Sequence, residues 1–338
     1  MRRAAREDPS LRATLETRRP LFYDAGPDAS LDRPAHVRAG SAMSWLSAGG
    51  AAPRLVIAQD DASFLALLDP TLSRVDALPL DHVDEGRRQF DAGRGNKKRK
   101  LDLEACCVVR DGAREVLLAW GSGSLPNRER IVVLEAGSST PRIVDASALY
   151  AGLRACTELA GSELNIEGAV AIGTDRVRLF QRGNGAPRGS LSPVDATCDL
   201  DSARLLAWIE DPRATTPPTP ESIVQWELGS IAGVRLTFTD ACAGEGGIAF
   251  LAAAEASPDA IEDGEVVGVA LGWIAGDGEA RWTTIREPDG SPFLGKAEGL
   301  AWAPGAVGRR ALVIIDRDDP DAPSELCEVS IEGLAAAP

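Results

Sequence analysis

The apolar residues of this chain come in short runs rich in Val, Ile and Leu, cut off by Gly, Asp, Asn and Pro. Examples are PRLVIAQDD (53–61), REVLLAWGSGS (114–124), RERIVVLEAG (128–137), DRVRLFQRGNG (175–185), GEVVGVALGWIAGDG (264–278) and RRALVIIDRDD (309–319). Runs of this length and composition, bounded by turn formers, predict many short strands. Helical spacing of apolar residues is sustained only over 146–160, which reads as a loop insertion. The Pro/Thr-rich stretch DPRATTPPTP (211–220) reads as a surface loop.

A short pattern recurs, in which a polar or acidic residue is followed by small and apolar residues that open a strand. It occurs as SAMSWL at Ser44, LDLEACCVV at Glu104, LNIEGAVAI at Glu167, TFTDACA at Asp240 and KAEGLAW at Glu298, at intervals of 60, 63, 73 and 58 residues. A period in this range marks a repeat architecture, and each interval holds about four strands, the content of a propeller blade. In the third unit the strands read as 167–173, 175–183, 199–211 and 222–236. The last unit is one strand short, and RPLFYDA (19–25) can supply it, closing the ring and removing two open sheet edges. The pattern predicts an all-β chain: an N-terminal arm at 1–17, then a single β-propeller domain at 18–338. It has five four-stranded blades, or six if the long third unit divides, and an N-terminal strand closes the last blade.

Composition narrows the function classes. At 338 residues and 44% apolar content the chain can bury a large core, and a net charge of −15 speaks against nucleic acid as a partner. The same charge suits a protein that collects cations. The first twenty residues are charged and lack an apolar leader core, and no apolar run of membrane-spanning length occurs. The six cysteines, Cys106, Cys107, Cys156, Cys198, Cys242 and Cys327, form no C-x-x-C pair, and the adjacent Cys106 and Cys107 read as buried packing residues. These features lead us to expect a monomeric cytoplasmic protein that engages neither membrane nor nucleic acid.

In a propeller the first residues of each innermost strand gather at one mouth of the central channel. Ser44, Glu104, Glu167, Asp240 and Glu298 would therefore converge there. Carboxylates brought together repel one another, and a bound cation relieves the repulsion. An all-oxygen ring suits Ca2+ better than a metal that prefers His or Cys, and the only histidines are His36 and His82. The loops after the second strands are polar in every unit: Gln59-Asp60-Asp61, Gly121–Ser124, Gln181–Asn184, Glu255–Ser257 and Asp316–Asp319. Glu255 and Asp318 are the candidate general bases in these loops. All four lysines flank the ring, Lys97, Lys98 and Lys100 before Glu104 and Lys296 before Glu298. Lys98, Lys100, Lys296, Arg182 and Asn184 are the candidate contacts to a small anionic substrate. An acid at a strand start also serves to bind backbone N–H groups, and GRGNKKRK (93–100) also reads as a solvated loop, so the structural uses stay open. No P-loop signature follows GSGS (121–124), and there is no G-x-S-x-G elbow.

The signatures DLEA (102–105), NIEG (165–168), AAAE (252–255) and K-x-EG (296–299) resemble those of a family of bacterial propellers, a likeness that runs from about Ser41 onward and implies no activity. The spacing of Ser44, Glu104, Glu167 and Glu298 also resembles the channel ring of the calcium-activated nucleotidases (apyrases), which implies a Ca2+ held by one Ser or Glu per inner strand. The EG motifs are similar, more weakly, to gluconolactonase-like and esterase-like phytase propellers, a resemblance that implies Asn184 and Asp316 as further ligands. The function expected from these readings is a Ca2+-dependent hydrolase of a small phosphoester-type anion at the channel mouth. The alternatives are a metal-dependent lactonase or esterase and a binding module in which Ca2+ is structural.

Overall fold

The short apolar runs rich in Val, Ile and Leu become strands, and the turn formers between them become loops. The computed structural model describes residues 1–49, 51–256 and 264–334. Two strands come first, β1 (Arg2–Glu7) and β2 (Arg12–Pro20). Four antiparallel strands then form one sheet: β3 (Gly40–Leu46), β4 (Arg54–Gln59), β5 (Phe64–Leu68) and β6 (Val75–Pro79). The second sheet is β7 (Leu103–Asp111), β8 (Arg114–Gly121), β9 (Arg130–Glu135) and β10 (Arg142–Asp145). The third is β11 (Ile166–Ile172), β12 (Arg176–Gln181), β13 (Asp195–Asp201) and β14 (Glu221–Glu227). A two-residue strand, β15 (Ser230–Ile231), precedes the fourth set, β16 (Val234–Gly244), β17 (Gly247–Glu255), β18 (Val266–Ala275) and β19 (Ala280–Arg286). The fifth set is β20 (Lys296–Trp302), β21 (Arg310–Asp316) and β22 (Glu325–Glu332), and β2 lies antiparallel to β22 as its fourth strand.

The arrangement is all-β and propeller-like. The first strands of the five sets touch in sequence, β3 to β7, β7 to β11, β11 to β16, β16 to β20, and β20 back to β3. Apolar cores lie between successive sheets. One joins Ala42, Val56 and Leu65 to Cys106, Leu117 and Val132, and the last joins Leu312, Ile314 and Leu326 to Met43, Leu55 and Ile57. Middle strands such as β8 (REVLLAWG) are covered on both faces, which is why they read as continuous apolar runs.

Most of the first seventeen residues pair into the sheets. β1 runs parallel to β14 through Arg2–Ala4 and parallel to β19 through Ala5–Glu7, so it stitches the third set to the fourth. The strand paired with β22 is Arg12–Pro20, earlier in the chain than the 19–25 segment expected to fill that place. Residues 12–17 therefore belong to a sheet and not to an arm.

Residues 146–160 are helical as expected, forming α1 (Ser147–Ala155) and α2 (Thr157–Ala160). The segment 199–211 corrects the expectation. Its strand ends at Asp201, and Ser202–Glu210 is a helix, α3. The Asp201 carboxylate caps that helix by accepting the Arg204 N–H at 2.8 Å, and Ser202, Leu205, Leu206 and Ile209 form its buried stripe. Among the described residues no helix is long and apolar enough to cross a membrane.

Candidate functional site

The ring of polar residues is built by one backbone device. Each inner strand has a β-bulge where the pairing register skips a residue, within the first three residues in four of them and midway along β16: Ser41 in β3, Glu104 in β7, Glu167 in β11, Thr239 in β16 and Glu298 in β20. A bulge breaks the in–out alternation and re-aims one side chain. The residue after it is small in four of the five strands: Ala42, Ala105, Gly168 and Gly299. At Gly299 the reason is direct contact, since a Cβ there would lie 2.6 Å from an Ile314 methyl carbon and 3.0 Å from the Ala42 Cα of the first sheet.

Ser41, Glu104, Glu167 and Glu298 border a cavity of about 700 Å³. Three clusters of charge stand around it. In the first, Lys100 Nζ lies 2.5 Å from Asp60, 3.0 Å from Asp61 and 3.0 Å from Asp102. The other oxygen of Asp102 accepts from Arg128 at 2.8 Å and from the Ser122 hydroxyl. In the second, Glu167 accepts from Asn165 at 2.6 Å and faces Arg182 at 3.5 Å, while Arg182 donates to Glu255 at 2.6 Å. Asn184 accepts from Asn165 at 3.2 Å. In the third, Lys296 faces Asp318 at 2.8 Å, Glu298 at 3.6 Å and Asp316 at 3.9 Å.

The carboxylates outnumber these cations, and their proton affinities show it. Burial pushes Glu104 well above the usual carboxylate range, and the negative charge of Asp60, Glu167, Asp102 and Glu298 adds to the effect. Burial raises Glu298 strongly despite Lys296 and Arg182. It lifts Glu167 to about 7 against the pull of Arg182, and Asp316 to about 6 against that of Lys296. Asp60 is raised well above its ordinary value by burial, with Lys100 opposing. Asp102 goes the other way: burial disfavours its charge, but Lys100 and Arg128 outweigh that and hold it low.

Asp60, Asp102 and Glu104 can each bring one oxygen to a common point, all within 4.8 Å of one another. Glu104 has no hydrogen bond or ion pair among the described residues, and Asp60 Oδ1 is buried without a hydrogen-bond partner. Glu104 and this Asp60 oxygen are left without a hydrogen bond by the protein itself. A three-carboxylate group of this kind fits a hard divalent cation.

The sequence-derived site divides as follows. Glu104, Glu167, Glu298, Lys98, Lys100, Arg182, Asn184 and Lys296 all border the cavity. Ser44 does not. It pairs with Val56 farther along β3, and Ser41 occupies the bulge. Asp240 lies one residue past the bulge, and Thr239 takes that position. Neither Glu255 nor Asp318 borders the cavity: Glu255 is bound to Arg182, and Asp318 is exposed and bound to Lys296. Sequence spacing could have found Ser41, because Ser41-Ala42 matches the acid-then-small pattern and lies 63 residues before Glu104, the interval that separates Glu104 from Glu167. Ser257, in the fourth polar loop, lies outside the described residues.

Asp240 holds the place that Ala or Gly holds in the other units. Its Oδ2 accepts the Leu300 N–H of the next inner strand at 2.7 Å, Oδ1 is buried without a hydrogen-bond partner, and burial raises its pKa well above the usual value. Asp240→Asn is therefore expected to change stability little at low pH and to become stabilising as pH rises. A folded-state pKa above the unfolded one means that ionisation disfavours the fold. The penalty begins near pH 4, the unfolded value, and grows by about 1.4 kcal/mol per pH unit up to the folded value. Melting curves of both proteins across about pH 4 to 8 check this. A constant difference would mean that Asp240 is ionised in the fold.

Burial raises the Cys106 thiol strongly and Cys107 to about 12, as suits packing residues, and all six cysteines are free thiols. Comparison with solved structures returns distant likenesses. A luciferin-regenerating enzyme matches with a TM-score of 0.41 at 9% identity, over 89% of this chain and 95% of that one. A gluconolactonase from Xanthomonas campestris matches with a TM-score of 0.36 at 12% identity, over 82% and 68%. A glycosyl hydrolase from Bacteroides ovatus matches with a TM-score of 0.40 at 11% identity, over 91% and 90%. No protein of curated function matches the sequence. The sequence model of one family does match, across residues 36–331, a span that takes in all five bulges and the whole cavity, and the chain belongs to that family, a family of unknown function (DUF6929).

Proposed function

We propose that the five strand sets are the blades of a five-bladed propeller closed by β2, and that its channel mouth is a Ca2+-dependent hydrolase site for a carboxylic ester or lactone. The observation that carries this reading is the Asp60, Asp102 and Glu104 group, with unused oxygens on Asp60 and Glu104, at the wall of a cavity lined by charged side chains. The donor set is all oxygen, which favours Ca2+ over metals that seek His or Cys. Bound there, the cation would polarise a carbonyl oxygen and make water more acidic. Glu167, on the cavity wall with its carboxyl lifted to about 7, accepts the proton of the attacking water and returns it to the departing alkoxide. Asn165 and Arg182 hold Glu167 in place.

A phosphoester is less well suited. Lys100, Arg182 and Lys296 are already paired with carboxylates of the site, so a phosphate in contact with the acid floor would meet uncompensated negative charge. A neutral carbonyl meets no such barrier. The six free thiols and the acidic surface fit a monomer acting on a small molecule in a reducing cytoplasm.

Calorimetric Ca2+ titration and hydrolysis of five- and six-membered lactones, with and without chelator, test the reading. Glu104→Gln is expected to weaken Ca2+ binding by about tenfold or more. Chelator should stop turnover. Glu167→Gln is expected to keep Ca2+ binding, lose about 100-fold in kcat and lose the rise of kcat as pH passes about 7. Ca2+ binding indifferent to Glu104→Gln would overturn the metal site. Tight Ca2+ binding that raises the melting temperature without turnover of any lactone would leave a binding module.

A further inference from the structure

We infer that Lys97 and Lys98 form a subsite for an anionic group, a carboxylate or phosphate, that the ligand carries away from the bond to be cut. The inference rests on the hydrolase reading only in calling that ligand a substrate. It starts from the distribution of lysine. The chain has four lysines against 32 arginines. All four, Lys97, Lys98, Lys100 and Lys296, border the one cavity. An ammonium is a compact, strongly hydrated charge with freely rotating donors, whereas a guanidinium locks onto carboxylates in a fixed fork. Arginine does the surface pairing elsewhere in this protein, and lysine is kept for this cavity.

The four lysines divide into two kinds. Lys100 is buried in a cage of three carboxylates, and Lys296 faces another three. The ammonium groups of Lys97 and Lys98 have no ion pair or hydrogen bond among the described residues, and Lys98 is exposed. Both belong to the one-turn 3-10 segment Lys97–Arg99 at the cavity wall.

The backbone of that segment is held from several sides. Asn127 donates to the Lys98 carbonyl at 3.0 Å and to the Lys100 carbonyl at 2.9 Å. The His82 ring lies 2.9 Å from the Arg99 carbonyl. The buried Asn96 side chain donates to the Gln89 carbonyl at 3.1 Å and accepts the Asp91 N–H at 3.1 Å. The backbone that carries the two unpaired ammonium groups is thus fixed before a ligand arrives, and only the lysine side chains have still to be ordered on binding. Across the cavity the charge pattern is therefore asymmetric, acidic at the floor and cationic at the lip. An ester or lactone with a remote anionic group fits both ends at once: its neutral carbonyl meets the floor and its charge meets the lip.

The test uses the full chain, with succinate and inorganic phosphate as probes, titrated by calorimetry at low and high salt. The wild type is expected to bind at least one anion, more weakly at high salt. The double variant Lys97→Met/Lys98→Met is expected to lose about tenfold or more in affinity, and Lys97→Arg/Lys98→Arg to retain it. Preference for succinate or for phosphate identifies which anion the subsite takes. Anion binding unchanged in the double Met variant, or no binding of either anion by the wild type, overturns the proposal. In parallel, kcat/KM for 4-nitrophenyl succinate relative to 4-nitrophenyl pentanoate should fall by about tenfold in the double Met variant. Lysine-dependent anion binding without turnover of either ester or of any lactone would remove the hydrolase reading and keep the subsite. Turnover with lysine-independent anion binding would do the reverse.

Discussion

A chain that starts at Leu21 is expected to lose its cooperative thermal transition and to associate, whereas removal of residues 1–10 alone should leave a folded protein of lower melting temperature. The reason is the placement of the two strands. β2 is the fourth strand of the fifth set, paired with β22 from Arg12↔Glu332 to Pro20↔Glu325. Its Ala13 and Leu15 are buried in the core between the fourth and fifth sheets. Without it, β22 presents an open edge and that core opens to water, which invites pairing with other chains. β1 carries less. It contributes three register pairs to each of β14 and β19, and of its residues only Ala5 is buried. Circular dichroism melts and size-exclusion chromatography of the two truncations separate the cases. A monomeric, cooperatively melting chain from Leu21 would mean that β2 is dispensable.

Lys100→Met is expected to cost about 3–5 kcal/mol in chelator, and millimolar Ca2+ to restore most of it. For a chain of this size that is a fall of several degrees in melting temperature. Lys100 is buried and is the ion-pair partner shared by Asp60, Asp61 and Asp102, and contact with these carboxylates raises its pKa well above normal although burial opposes the charge. Methionine keeps the volume and removes the charge, so Asp102 is left with Arg128, Asp61 with Arg38 at 3.8 Å, and Asp60 with no ion-pair partner among the described residues. A divalent cation at Asp60, Asp102 and Glu104 supplies charge to the same oxygens. The variant should therefore bind Ca2+ more tightly than the wild type, because an ammonium no longer repels the ion. Melting curves with chelator and with graded Ca2+ measure both effects. Equal stability of variant and wild type in chelator would mean that protons, and not Lys100, neutralise this corner.

The repeat was legible because the same local demand recurs in each unit: one polar residue on a bulge, then a residue small enough for inner strands to pack together. Glu104-Ala105, Glu167-Gly168 and Glu298-Gly299 announce that demand plainly. Ser41 and Thr239 were hidden because a serine three residues on and an aspartate one residue on mimic the pattern, and only the hydrogen-bond register tells them apart. The helix α3 was hidden because Leu205, Leu206, Trp208 and Ile209 read as a buried strand when their spacing is ignored. The first two strands were illegible for the opposite reason. RRAARE and RATLETRRP bury only Ala5, Ala13 and Leu15, so they lack the apolar content that marks a strand. The partners of the lysines were beyond sequence altogether, since Lys98 and Lys100 are two positions apart and point to different fates.

The pairing of β2 with β22 also sets an order of events during synthesis. Glu16 and Ser330, which touch across that pair, are 314 residues apart. At ribosomal rates of about 5–20 residues per second, β2 waits roughly 15–60 s for its partner to be made. Through that interval the nascent chain carries an arginine-rich segment with little apolar surface, which is a safe thing to leave unpaired. The low hydrophobicity that concealed β2 from the sequence reading is thus the property that lets it be made long before it is used.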